Sequence, residues 1–204
     1  MVFVNDRMTA TRTGEGYGWA NRKRRTAWLE AENRGASAVL IRSVGTSSHR
    51  FPHTGMMGFP EGRRASIPAL AVSAPDADQI ERIHERGETV RVRVRTGADW
   101  REETTSGNVI AEIPGAGAPE EIVIIGAHLD SWDLGTGALD DGAGVGIVTA
   151  AAKLIRDLPR RPRRTVRLVL FGAEEVGLVG ARAYAEARVA DGTLDDHVLG
   201  SESD

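Results

Sequence analysis

Two stretches decide how this chain folds: Glu121–Gly144, EIVIIGAHLDSWDLGTGALDDGAG, and Arg164–Gly180, RTVRLVLFGAEEVGLVG. Each contains a nearly continuous apolar run, IVIIGA at 122–127 and TVRLVLF at 165–171. Alternation marks a strand with one wet face, whereas a continuous run marks a strand covered on both faces. Each run leads directly into ionisable residues, His128-Leu129-Asp130 in the first case and Glu174-Glu175 in the second. Between them Asp140-Asp141 opens a glycine-rich segment, 141–158, with Val145, Val148, Ala152 and Ile155 on one side. That spacing predicts a helix. Strands alternating with helices predict a three-layer α/β/α sheet.

Working outward, 108–113 reads as a strand, 114–119 as a Gly/Pro turn, 178–188 as an Ala-rich helix and 198–202 as a further strand. The polar stretch 97–107 separates this half from a different one, and the boundary is placed between residues 97 and 98. On the N-terminal side, VFVN at 2–5 is strand-like, and Ala20, Ala27, Trp28 and Ala31 recur at near-helical spacing up to Gly35. SAVLIRSV at 37–44 reads as a buried strand, and the Gly, Ser and Pro of 45–62 as a loop. IPALAV at 67–72 predicts another strand and 75–85 a helix. TVRVRVRT at 89–96 alternates strictly, predicting a half-exposed strand with Val inward and Arg outward. Residues 1–97 thus read as a small mixed α/β unit.

The composition narrows the chemistry. The 204 residues are 41% hydrophobic and 27% charged with a net charge of -3, a balance that points neither to nucleic acid nor to an anionic membrane. The basic runs Arg22–Arg25 and Arg156–Arg164 lack interleaved aromatics, so they read as solvated faces. With no cysteine, disulfides, thiolate metal sites and cysteine nucleophiles are excluded, and any metal must be held by His and carboxylates. No stretch reaches the ~18 apolar residues of a membrane span, and no signal peptide stands at the N-terminus.

Functional groups in open α/β sheets collect at the carboxyl ends of strands, where both ionisable groups are expected. Taken alone, His128 reads first as a satisfied structural histidine, and Asp140-Asp141 first as a helix N-cap. His128 and Asp130 lie two apart, on one side of an extended chain, so Asp130 could accept the second imidazole N–H, a frequent arrangement for metal-bound histidine. Adjacent carboxylates such as Glu174 and Glu175 repel unless a cation or proton intervenes. One could bind metal while the other faces a water, as metal-assisted hydrolysis requires. Their conjunction in one unit is the signal.

These residues also carry a resemblance. His128-x-Asp130-Ser131, Leu139–Gly144 and Ala173-Glu174-Glu175-x-Gly177 resemble the co-catalytic zinc peptidase family M28. GAHLDSWDLGTGALDDGAG, the PHTG segment at 52–55, the IRSV strand and the terminal SESD resemble its plasma glutamate carboxypeptidase (carboxypeptidase Q) branch. The resemblance spans essentially the whole chain. It implies a partial protease-associated (PA) lid domain over 1–97 and the N-terminal half of the peptidase domain over 98–204. It also implies two Zn2+ ions, a dipeptidase-like metallo-exopeptidase acting on small peptides, a secreted or periplasmic location, and leaves a homodimer open. His128 would bind one zinc, Asp140 would bridge both across a cis Asp140–Asp141 peptide, and Asp130 would orient His128. Glu174 would be the general base, Glu175 a ligand to the second zinc, and Asp204 a ligand to the first. The family's further downstream histidine has no match, so the chain reads as a fragment expected to be inactive alone. A non-catalytic binding ectodomain on the same fold, or glutaminyl-cyclase-like chemistry, are the alternatives. His53 could reach over the cleft or face water, Trp132 could line a pocket or pack, and His49, His84 and Asp195-Asp196 read as surface and turn residues.

Overall fold

The computed structural model describes residues 1–53, 55–99 and 101–204. Thr54 of the PHTG segment and Trp100 of the expected boundary lie outside the described residues. The chain divides into two compact units, Met1–Arg101 and Glu102–Asp204.

In the first unit β1 (Val2–Val4), β2 (Val39–Arg42) and β3 (Ala69–Val72) form a parallel sheet in the order β1-β2-β3. The central strand is buried throughout, as its VLIR sequence demands. Helix α1 (Gly16–Asn33) lays Ala20, Trp28 and Ala31 inward, and the core joins Trp28 and Ala31 to Val39 and Ile41. The Trp28 indole N–H donates to the carbonyl of Gly58 at 2.8 Å, which ties the 45–62 loop to the helix and satisfies the ring's polar atom. Helix α2 (Ala74–Glu85) begins at the N-cap Ser73, whose hydroxyl accepts the Asp76 N–H at 3.3 Å.

Two expectations fail here. Lys23, read as part of a solvated basic face, is only 6% exposed. It stands one turn from Ala20 on the inward side, and its ammonium donates to the carbonyl of Asp6, with burial lowering its pKa. The 89–96 segment forms no strand: among the described residues nothing pairs with it, and Val92 is exposed. Alternation specifies which side chains would face inward, but a strand also needs a neighbour to complete its ladder.

In the second unit β4 (Val109–Ile113), β5 (Ala118–His128), β6 (Arg164–Phe171) and β7 (His197–Glu202) lie in the order β4-β6-β5-β7. β4 is antiparallel to β6, while β6, β5 and β7 are parallel. Helix α3 (Gly142–Arg156) links β5 to β6 and helix α4 (Val179–Ala190) links β6 to β7. These crossovers run in opposite directions across the sheet, so their right-handedness places α3 and α4 on opposite faces. Val148 of α3 is buried, and Tyr184 of α4 packs on Val169 and Phe171. Where adjacent strands send their chains to opposite faces, a crevice opens beyond their carboxyl ends. That point lies between β5 and β6.

Candidate metal centre

The crevice is lined from three strand ends and one helix start. His128 is the last residue of β5, and only 1% of it is exposed. Beyond it the Leu129 N–H still donates to the Phe171 carbonyl at 2.8 Å, so the β5–β6 ladder runs right up to the site. Nδ1 of His128 donates to the backbone carbonyl of Asp130 at 2.9 Å, while Nε2 faces Asp140 Oδ1 at 3.1 Å and Asp204 Oδ1 at 3.6 Å. His128, Asp140 and Asp204 each present one donor atom, all within 4.8 Å of one another.

The Asp140–Asp141 peptide is cis. Asp140 is solvent-facing, whereas Asp141 is 2% exposed and caps α3. Oδ1 of Asp141 accepts the Gly144 N–H at 3.0 Å, and Oδ2 accepts the main-chain N–H of His128 at 2.8 Å. Sequence reasoning assigned Asp141 no role beyond a cap, and its second bond spans a loop that no local pattern announces.

The turn after β6 has a different support. Ala173 and Leu178 adopt left-handed φ of 56° and 59°, enclosing Glu174-Glu175 between two αL residues. Left-handed non-glycine residues carry strain and cluster at functional sites. The carboxylate of Asp130 stabilises this turn: Oδ1 accepts the Glu174 N–H at 2.8 Å and Oδ2 the Glu175 N–H at 3.1 Å. Its nearest carboxylate oxygen lies 3.6 Å from His128 Nδ1, beyond a good hydrogen bond. Asp130 therefore reaches the imidazole through its carbonyl and spends its carboxylate on the acidic pair. His53 is exposed and takes a 2.5 Å hydrogen bond from Arg24 on Nδ1. His49 and His84 are exposed, Trp132 is half-buried, and Asp195-Asp196 form a short 3-10 turn.

The electrostatics are one-sided. Burial pushes the Glu174 carboxyl above its ordinary range, against the pull of His128, and Asp204 and Asp130 add to the rise. Burial raises Glu175 as well, with Asp140 adding to it. Glu202, which sequence reasoning passed over, is raised by burial and by Asp204. Burial alone would lower the His128 pKa, yet Glu174, Asp141 and Asp130 outweigh it and hold the imidazole above its usual value. No lysine or arginine is among the leading influences on these groups. The donor set suits a cation. One imidazole nitrogen and two carboxylates converge, and the other ring nitrogen is fixed by a carbonyl, the usual support for a metal-bound histidine.

Fold and site together define a mixed α/β protein with a carboxylate–imidazole centre at the switch point of its sheet. Residues 108–199 match the family described as peptidase family M28. A crystal structure of a peptidase M28 precursor from Shewanella amazonensis SB2B superposes with a TM-score of 0.93 at 50% identity, covering 99% of this chain and 45% of that one. Carboxypeptidase Q of Mus musculus is 44% identical over 163 residues, 80% of this chain and 34% of the relative. The zinc aminopeptidase BSAP of Bacillus subtilis shares the fold, with a TM-score of 0.60 at 22% identity over 98% of this chain and 42% of that one. Over residues 108–199 the chain is thus similar to peptidase family M28, and it spans about a third of the length of the curated relatives it matches.

Proposed function

We propose that the protein is a zinc-dependent exopeptidase with two metal ions that hydrolyses small peptides, dipeptides foremost. The observation that carries this reading is the convergence of Asp140 and Asp204 on Nε2 of the buried His128, within a cluster of carboxylates on which, among the described residues, no lysine or arginine is a leading influence. His128, Asp140 and Asp204 would hold one ion. Asp140 and Glu175 would hold the second, although Glu175 stands outside the three-residue group. When bound, the ions supply Lewis-acid polarisation and charge stabilisation.

The chain's own residues supply the proton chemistry. Glu174 has a raised pKa, which brings it toward the range where a carboxylate both takes and returns a proton efficiently. It would accept a proton from the water that attacks the scissile carbonyl, and pass it to the amine nitrogen as the C–N bond breaks. Asp130 holds the Glu174 and Glu175 amides, so the base and its neighbour keep their places through this transfer. The reading includes a partial PA domain over 1–97, the N-terminal half of the peptidase domain over 98–204, and a location outside the cytoplasm. The two compact units support that division. Among the described residues no helix is long and apolar enough to cross a membrane.

The test is zinc-dependent hydrolysis of free, N-acetylated and C-amidated dipeptides by the full-length protein, with Glu174→Gln alongside. Turnover should fall by about 10²–10⁴-fold in the variant, the usual worth of a general base, while zinc content stays unchanged. The blocked substrates report which terminus is read. Undiminished turnover by Glu174→Gln would remove Glu174 from its role, and zinc binding without hydrolysis of any dipeptide would sink the peptidase reading.

A further inference from the structure

Asp141 is the most buried carboxylate bordering the centre, yet it is not among the converging donor atoms. Both of its oxygens are engaged by main-chain N–H groups on different elements, His128 at the end of β5 and Gly144 in the first turn of α3. Each of the three converging residues lies one step from this junction. His128 is bonded to Asp141 through its amide, and Asp140 is joined to it by a peptide bond. Asp204 follows Ser203, whose carbonyl oxygen packs so closely on Gly144 that a Cβ there would meet it at 2.5 Å, and would meet Asp141 Oδ1 at 2.0 Å. Ser203 is tied in turn to β5, its N–H donating to the Gly126 carbonyl at 3.0 Å. Only a glycine lets the helix start approach so near, and only a residue with two acceptor oxygens can hold both amides at once.

We propose that Asp141 is a positioning residue for the metal centre, a two-point clamp that fixes the spacing of His128, Asp140 and Asp204. It touches neither ion nor substrate and acts through the backbone of the residues that do. The inference rests on the metallopeptidase reading and names a residue which that reading leaves as an N-cap.

Capping and clamping separate under substitution. Asp141→Ser keeps a good N-cap for the Gly144 N–H but cannot span to the His128 amide as well. Asp141→Asn keeps the shape but turns an NH2 group toward one of the two donors. In the full-length protein, titrated with Zn2+ and separately with Co2+, Asp141→Ser should unfold within a few degrees of the wild type. Its Zn2+ affinity should fall by about 10–100-fold, the usual loss when a supporting contact of a metal ligand is removed, and the visible Co2+ spectrum should shift. Asp141→Asn should weaken Zn2+ binding in the same direction, and decides the matter if Asp141→Ser does not fold. Wild-type affinity and an unchanged Co2+ spectrum in either folded variant would reduce Asp141 to a helix cap. A check without any variant is the His128 amide proton, which should exchange slowly in the metal-free wild type; exchange at the rate of an unprotected amide would overturn the clamp. Failure of the wild type to bind Zn2+ would instead sink the metallopeptidase reading and this inference with it, whereas unchanged affinity in the variants sinks the inference alone.

Discussion

Both sheets gather charge at the carboxyl ends of their parallel strands, and they handle it in opposite ways. In the first unit Arg42 ends β2 with only 4% exposure, and its guanidinium donates to Asn5 at 2.8 Å, to the Ala74 carbonyl at 3.2 Å and to Asp78 at 2.6 Å. Arg7 pairs with both Asp78 and Glu81, and Asn5 donates to Glu81. Two arginines thus answer two carboxylates. In the second unit Asp130, Asp140, Asp141, Glu174, Glu175, Glu202 and Asp204 surround or border a single imidazole. A balanced cluster around a buried arginine is an architectural joint. An unbalanced one stores a demand for a cation, and that demand marks the second strand ends as the working ones.

The largest effects should come from the unbalanced side. Besides the loss of turnover in Glu174→Gln, Glu175→Gln should leave the fold intact and lower zinc content, since an amide offers the ion no charge. Metal analysis of the purified full-length variant reads this directly. Unchanged zinc content would remove Glu175 from the ligands and narrow the centre to His128, Asp140 and Asp204. On the balanced side, Arg42→Ala should destabilise the first unit by about 3 kcal/mol, near the low end for breaking a buried pair because Asp78 and Glu81 keep some solvent. Denaturant unfolding measures it, and zinc content should not change. A metal loss in Arg42→Ala would mean that the two clusters are not independent.

The second unit's side of this contrast was legible in the sequence, because β5 and β6 announce themselves by apolar runs and the acidic groups stand directly after them, whereas the Arg42 cluster of the first unit was not. The conjunction of His128, Asp140 and Glu174-Glu175 named the region of the site, though each group alone reads as ordinary structure. What stayed hidden needed closure of the chain. Asp130 sits two residues from His128, so local spacing suggested an imidazole contact for its carboxylate. Its partners are instead the amides of Glu174 and Glu175, which are 44 and 45 residues away. Asp141 has the same lesson: its cap bond is local, but the bond to His128 crosses the whole loop between β5 and α3. Lys23 shows the converse error, since a run of four basic residues on a helix necessarily turns one of them inward. The 89–96 alternation shows that a side-chain period cannot reveal whether a neighbouring strand exists.

The finest test of the comparison is the sign of each unit's response to pH without metal. The Arg42 hydrogen bond first, and the charges of Arg42 and Arg7 after it, hold Asp78 below the ordinary aspartate range. A depressed carboxylate contributes stability above its unfolded pKa and loses it as pH falls through the folded value, so the first unit should weaken on acidification. Glu174, Glu175 and Glu202 are raised, so their folded forms retain protons that the unfolded chain has released. His128 is raised too, and its contribution is complete below the usual histidine pKa and fades as pH climbs through the folded value. Around His128 the metal-free second unit should therefore weaken from the carboxylate range upward through neutrality, opposite in slope to the Arg42–Asp78 cluster. Asp157 and Asp191, held low by hydrogen bonds from Lys153 and Thr193, give the surface of that unit the slope of the first. Bound zinc favours the ionised carboxylates and the neutral imidazole, so it should reverse the slope around His128 and leave the first unit unmoved. Residue-resolved hydrogen exchange at several pH values, with and without Zn2+, follows both units in one sample. Parallel slopes around His128 and Arg42 in the metal-free protein would show that the carboxylates around His128 are balanced by a group in the fold, and the demand for a cation would disappear.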